Sequence, residues 1–328
     1  MGGTVPTRAA RAPSERLAYT TQLPVLGILT RFETNSADVN AIIAETFGTW
    51  RLLACDAATI SAHVRVVVHD GTEGTSGRSP IRHGFPDHLR VTATSTGSFG
   101  MSDPARAQGI VHATSELVAD RDHFRDEMLQ AITLALLSSH DRHFLHAAAV
   151  GSGDRAILLA GASGTGKSTL AYLAHRSGLD VMSEDRVWIQ RSPSLRVWGW
   201  PMRLHLRPEA AGRFPELEAK ATQSHGSGRR RHVVDLTSAS AYSPRFYAND
   251  VAVCILSRGA DTPSLERIDA DAVVDALTRD VAPGFDRHPE RHLPSMRAVA
   301  QGGGWHLRLS SDPHQALPLL QTMLCGSR

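Results

Sequence analysis

Lysine is almost missing from this chain: of 328 residues only Lys167 and Lys220 are lysine, and arginine supplies the rest of the 35 basic side chains. Arginine codons are richer in G and C, so a genome biased toward those bases produces such a composition. A position that keeps lysine then points to a need for a compact ammonium charge in place of a planar guanidinium. Cysteine is scarce as well. Cys55, Cys254 and Cys325 are odd in number and far apart, which excludes a disulfide framework or zinc-type spacing and fits a reducing compartment. An excess of one charge is also absent, since a formal net charge of +2 offers no global field for nucleic acid or a membrane surface. No apolar run approaches the ~20 residues of a membrane span. Residues 1–17 mix Arg, Pro, Ser and Ala without an apolar stretch and read as a flexible tail, not a signal peptide. A myristoylation signal would need Ser or Thr where Pro6 stands. Together these absences predict a cytoplasmic protein.

What is present is ordinary for a globular chain, at 41% hydrophobic and 21% charged residues, and the length predicts two domains. Residues 18–140 read as a small α/β module. Leu23 to Phe32 is strand-like, and Val39, Ile42, Ile43 and Phe47 form the apolar face of a helix capped at Asn35 or Ser36. Alternation predicts strands at His63–His69 and Leu89–Thr94, with a Gly/Ser/Pro-rich loop at Asp70–Pro86 between them. Phe124, Met128, Ile132 and Leu136 recur at steps of four and predict a helix over Asp120–Ser138. No catalytic cluster is visible in this half.

Residues 141–328 carry the chemistry. Ala156–Ala160 reads as a buried strand, Thr169–His175 as a helix ended by Gly178, and Val187–Gln190 as a strand. Further strands are expected at Val251–Leu256 and Trp305–Leu309, and helices at Asp271–Arg279 and Gln315–Leu324. Between the first strand and helix runs Gly161-Ala162-Ser163-Gly164-Thr165-Gly166-Lys167-Ser168, the Walker A spacing of a P-loop, with Thr169 following. Its glycines admit backbone angles that turn N–H groups toward phosphate oxygens. The helix start adds its positive dipole end, Lys167 reaches the β- and γ-phosphates of a nucleoside triphosphate such as ATP, and the Ser168 hydroxyl ligates Mg²⁺. Chance produces this spacing in about 1% of chains of this length, and the flanking strand and helix reduce that further.

Glu184 and Asp185 follow Lys167 by 17 and 18 residues, and His146 precedes it by 21. A hydroxyl acceptor must lose its proton as phosphorus arrives, so a carboxylate near the γ-phosphate serves as base and a second one serves Mg²⁺. From Phe144 to Gln190, through His146, the P-loop and Ser183-Glu184-Asp185-Arg186-Val187, the chain resembles the catalytic domain of HPr kinase/phosphorylase and its HPr-kinase-like relatives. Similar proteins include the kinases that tailor ribosomal peptides, lasso peptides among them. Weaker likeness continues through Trp198-Gly199-Trp200-Pro201 and Leu204-His205-Leu206. The resemblance implies an α/β P-loop kinase domain of the HPr kinase / PEP-carboxykinase-like type behind a small α/β N-terminal domain. It further implies an ATP- and Mg²⁺-dependent phosphotransferase acting on a Ser hydroxyl of a peptide or protein, in a family that often forms oligomers. By family position Glu184 is the base, Asp185 partners the metal with Ser168, and His146 orients the acceptor or one of the acids.

Three departures narrow this. Family members usually carry two Asp where this chain has Glu184-Asp185. Thr169 stands where true HPr kinases tend to have an acid. The Gly-rich signature of phosphorylase activity is not evident after Pro201, which implies a one-way kinase with an acceptor other than HPr. An ATP sensor or ATPase, and a small-molecule kinase, use the same parts and stay open. Ser224–His232, ending in Arg229, Arg230 and Arg231, reads either as a solvated charge run or as a mobile lid over phosphate. It is too short and too poor in aromatics for nucleic acid. Trp198 and Trp200 could line a pocket, though packing is the commoner use.

Overall fold

A computed structural model describes residues 17–54, 60–71, 80–84, 86–94, 97–218, 222–225, 229–238, 243–279 and 289–325. The tail expected at 1–17, apart from Leu17, lies outside them, as do Cys55, Lys220 and most of the loop expected at 70–86. The chain is mixed α/β with several sheets and forms two compact units. The first takes residues 1–23, 28–48 and 56–136, and the second takes 24–27, 49–55 and 137–328. Among the described residues no helix is long and apolar enough to cross a membrane.

The first unit is built on a seven-stranded sheet. Its strands are β1 (Tyr19–Val25), β2 (Ile28–Thr34), β3 (Ala62–His69), β4 (Arg82–Gly84), β5 (Arg90–Ala93), β6 (Phe99–Asp103) and β7 (Gln108–Thr114), in the order β1-β2-β3-β7-β6-β5-β4. Strands β2, β3 and β7 run parallel, and a parallel pair needs a crossover, which α1 (Ala37–Phe47) supplies between β2 and β3. The Ser36 hydroxyl caps α1 by accepting from the Val39 N–H. Its Val39, Ile42, Ile43 and Phe47 are buried, with Phe47 stacked on Phe32 of β2 at 4.9 Å. After β7 come α2 (Ser115–Ala119), α3 (Arg121–His123), a π-helical stretch at Phe124–Gln130 and α4 (Ala131–Ser138). The run of apolar residues at steps of four is therefore helical, but wound more loosely in its middle.

One expectation changes in kind. Leu23–Phe32 is not one strand but the β1–β2 hairpin, turning at Leu26 and Gly27, which adopt φ of 51° and 73°. Positive φ at both positions is what a two-residue hairpin turn of type I′ requires. The turn was unreadable because its first residue is leucine, not Asn, Asp or Gly. A Cβ on Gly27 would overlap the Trp198 indole. Gly27→Ala is therefore expected to cost about 2–4 kcal/mol from overpacking and left-handed strain, read as a lower midpoint in thermal denaturation. An unchanged midpoint would contradict the contact.

The second unit centres on a six-stranded sheet of β9 (Ala148–Ser152), β10 (Arg155–Ala160), β11 (Asp180–Ser183), β18 (Asp250–Arg258), β19 (Ser264–Ile268) and β20 (Gly304–Leu309), in the order β11-β9-β10-β18-β20-β19. Numbering follows the chain: β8 (His143–Leu145), β12 (Val187–Gln190), β13 (Arg196–Trp198) and β17 (Tyr247–Ala248) make a four-stranded sheet, while β14 (Arg203–Leu206), β15 (Thr222–His225) and β16 (Arg229–Asp235) make a three-stranded one. Helices α5 (Lys167–Arg176), α6 (Ala270–Arg279), α7 (Pro289–Ala300) and α8 (Leu317–Cys325) cover the central sheet.

Alternation along β10 shows how. Ile157 and Leu159 enter one core with Leu170 and Leu173 of α5 and Leu320 and Met323 of α8. Ala156, Leu158 and Ala160 enter another with Val273 and Leu277 of α6 and Met296 and Val299 of α7. A strand covered on both faces reads as a continuous apolar run, which is how Ala156–Ala160 appears in the sequence. Cys254 lies fully buried in the first of these cores, where burial pushes its thiol pKa up, so it acts as a small hydrophobe. Trp198 and Trp200 turn out to be packing residues. Trp50 stacks on Phe246 at 4.7 Å and meets Trp200 edge-on at 5.7 Å, and Trp188 lies 5.6 Å from Trp200. The segment expected as a flexible loop at Ser224–His232 lies largely within the β15–β16 hairpin, where His232 and Val234 are buried.

Candidate functional site

Strand β10 runs parallel to β18, β18 runs parallel to β20, and β11 reaches β10's direction through two antiparallel pairings with β9. Four strands thus end on one edge of the sheet, and open α/β sheets bind ligands beyond such carboxyl ends. The P-loop leaves β10 there, Glu184 leaves β11, Arg258 ends β18 and Ser310 follows β20.

Gly161, Gly164 and Gly166 take φ of 144°, 89° and 121°, values that side chains with a Cβ rarely adopt. At Gly161 an added Cβ would also come within 2.7 Å of the Leu256 carbonyl oxygen. Thr165 closes the turn, its N–H and hydroxyl both donating to Ala162 O at 3.1 and 2.8 Å. Helix α5 starts at Lys167 after Gly166, with no side chain capping it, so its first N–H groups and dipole are open to an anion.

Lys167 is buried, and its Nζ donates to Gly161 O at 2.5 Å and Ala162 O at 3.4 Å. The Ser168 hydroxyl donates to Glu184 Oε1 at 2.5 Å. The other oxygen of this buried carboxylate, Oε2, accepts from the His205 N–H at 3.0 Å and lies 3.1 Å from His205 Nδ1. Asp185 takes no part in this: its side chain is 41% exposed and pairs with Arg186 at 3.5 Å. Sequence position gave Asp185 to the metal and Glu184 to the acceptor, whereas the hydrogen bonds join Ser168 to Glu184 and leave Asp185 toward solvent.

His146 sits half-buried in the link between β8 and β9. Leu145 pairs with Val187 in one sheet and Ala149 with Ser183 in the next, so the backbone at 146–148 runs opposite the Glu184–Arg186 turn. His146 makes no hydrogen bond or ion pair among the described residues.

Two arginines that the sequence did not single out meet the loop, and a histidine meets Glu184. Arg207 Nη2 donates to the Ser163 hydroxyl at 3.3 Å. Arg258 Nε donates to Gly164 O and Thr165 O at 3.0 and 3.1 Å. His205, which the sequence offered only within the Leu204-His205-Leu206 likeness, is the histidine at Glu184. In the run Arg203-Leu204-His205-Leu206-Arg207, Leu204 and Leu206 are buried, so the period of two turns His205 to the opposite face. That alternation was the available signal. The arginine run that reads as a solvated charge run or a lid opens β16 at Arg229–Arg231; Arg230 is exposed, and neither Arg230 nor Arg231 bonds the P-loop among the described residues.

A triphosphate and Mg²⁺ fit this donor set. The loop's three glycines hold backbone angles that favour N–H groups turned toward phosphate, and a hydroxyl beside a carboxylate is the hard oxygen pair Mg²⁺ takes, with phosphates and water completing its shell. No group of three metal-ligating side chains occurs among the described residues, and that mode of binding needs none.

No protein-family model matches the chain, and no curated protein does. Among solved structures it is similar to the HPr(Ser) kinase/phosphatase from Coxiella burnetii, at 12% identity and a TM-score of 0.29, over 56% of this chain and 87% of that one. A likeness of that size carries nothing about activity, which has to be read from the P-loop and its neighbours.

Proposed function

We propose that this chain is an ATP-dependent kinase that transfers the γ-phosphoryl group to a hydroxyl, the Ser of a peptide or protein. The observation that supports this most is the bond from the P-loop hydroxyl of Ser168 to the buried carboxylate of Glu184. A P-loop Ser beside an acid at a strand end is how such enzymes hold Mg²⁺ against the phosphates. The ion, when bound there, neutralises charge on the transferring group. Lys167 and the N–H groups of the loop and of α5 hold the phosphates. Glu184, fixed through Ser168 and His205, serves the metal side.

Asp185 is the remaining acid, next in the chain and open to solvent, and it is assigned as the base that takes the acceptor proton. This reverses the roles that family position implies. Its exposure leaves space for a Ser carried on a peptide. Arg207 stands at the loop without a carboxylate partner among the described residues and adds positive charge where it develops as negative on the phosphoryl oxygens. Arg207→Ala should lower kcat about 10- to 150-fold, the loss of one charge-assisted hydrogen bond, with a small change in KM.

The direct test is transfer of label from γ-labelled ATP with Mg²⁺ to Ser-bearing peptides, C-terminal Ser included, in wild type and Asp185→Asn. Label on a peptide that disappears in the variant supports a hydroxyl kinase. ATP bound, with label on no peptide and on no small alcohol, sinks the kinase reading in favour of a nucleotide sensor.

A further inference from the structure

We propose that the open face of the three-stranded sheet of β14, β15 and β16 is a docking surface for an acidic stretch of the acceptor peptide; this inference rests on the kinase reading above. Side chains alternate across a strand, and the two faces of this sheet differ sharply. Leu204 and Leu206 of β14 and His232 and Val234 of β16 are buried, and the leucines and Val234 join the core that holds Leu170 and Leu173 of α5. Alternation puts Arg203, His205 and Arg207, with Arg231, Val233 and Asp235, on the other face, and all six are exposed or half-exposed.

The register decides how the charges on this face meet. Arg203 lies opposite Asp235 and His205 opposite Val233, and the first two form an ion pair at 4.0 Å. One step past the last registered pair, Leu206 with His232, come Arg207 and Arg231, both cations. Neither has a carboxylate partner among the described residues. Like charges side by side cost a sheet stability, so a face with no other task gains from an acid at one of these places. This end of the face is also the end at the proposed site. Arg207 donates to Ser163 of the P-loop, and His205 meets Glu184, the neighbour of Asp185. Two guanidinium forks without acids, close to the proposed base, fit a peptide that brings its own carboxylates. The arginine run takes part through Arg231, whereas exposed Arg230 falls on the opposite face.

The test uses two Ser peptides, one with Asp and Glu beside the Ser and a twin with Asn and Gln in their places. Label transfer from γ-labelled ATP and binding by fluorescence anisotropy are measured for both. Wild type should favour the acidic peptide about tenfold or more in kcat/KM, through KM, and the preference should shrink as salt is raised. Arg231→Glu should abolish the preference and Arg231→Gln should reduce it. Both should keep the Kd for Mg-ATP within about twofold of wild type, which also reports a folded variant. Arg230→Glu makes the same change of charge on the other face and should leave the preference in place. Equal use of the two peptides by wild type overturns the docking surface. So does a preference that survives Arg231→Glu, or one that falls equally in Arg230→Glu. If no peptide is labelled, binding decides. An acidic peptide held by wild type and released by Arg231→Glu keeps the surface while the kinase reading falls, and binding of neither peptide overturns both.

Discussion

Asp185→Asn should slow phosphoryl transfer about 10²- to 10⁴-fold, the usual contribution of a positioned base, while the affinity for Mg-ATP stays within about twofold. Asparagine keeps the shape but cannot take a proton, and among the described residues Asp185 makes no hydrogen bond to Ser168 or the loop. Its ion pair with Arg186 is half-exposed, so stability should move by less than about 1 kcal/mol. Glu184→Gln should behave differently. The Gln oxygen can still accept from Ser168, but its amide cannot accept from the His205 N–H, and the negative charge on the metal side is lost. The expected result is a raised Mg²⁺ requirement and weaker Mg-ATP binding, with transfer recovering in part at high Mg²⁺. Measuring kcat and Kd against Mg²⁺ concentration for both variants separates the roles. If Glu184→Gln abolishes transfer at every Mg²⁺ concentration with ATP binding intact, and Asp185→Asn is nearly silent, the assignment made from family position is the right one.

The P-loop was legible because all its information is local: eight consecutive residues, a buried strand before them and a helix after. The acid pair was legible as a pair because it follows at a short distance, but its division of labour was not. Which carboxylate reaches Ser168 depends on how β11 ends, after a shift in its register with β9 between Val181 and Ser183. No spacing rule contains that bend. Arg207 and Arg258 lie 40 and 91 positions beyond Lys167 and meet the loop because of strand order. Arg258 arrives because β18 inserts beside β10, and Arg207 because β14 ends near Ser163. In an arginine-rich chain neither stood out by type.

The β15–β16 hairpin was hidden for a related reason. Gly226-Ser227-Gly228 and three arginines look like a solvated loop, and the alternation of buried His232 and Val234 begins only after the charges. In the first unit, Leu26 at a turn position gave no punctuation at all. The fold class was readable from period and composition, while contacts between distant strand ends were not.

Lys167 is the position where composition and geometry make the same claim. Its ammonium is buried at 7% exposure and donates to Gly161 O and Ala162 O, so it is already held inside the loop that phosphates would enter. Lys167→Ala removes a charged donor and leaves those carbonyls short of a partner. One charged hydrogen bond is worth roughly 1.5–3 kcal/mol, so the Kd for Mg-ATP should rise about 10- to 150-fold, measured by calorimetry. The more telling variant is Lys167→Arg. A guanidinium is planar, bulkier and tied to fork geometry, and the space that holds Nζ between two loop carbonyls suits a point charge. Arginine should therefore restore little of the lost affinity, in a chain that uses arginine almost everywhere else. Binding of ATP by Lys167→Arg at the wild-type level would show that the site needs positive charge alone, and that the rarity of lysine carries no information about Lys167.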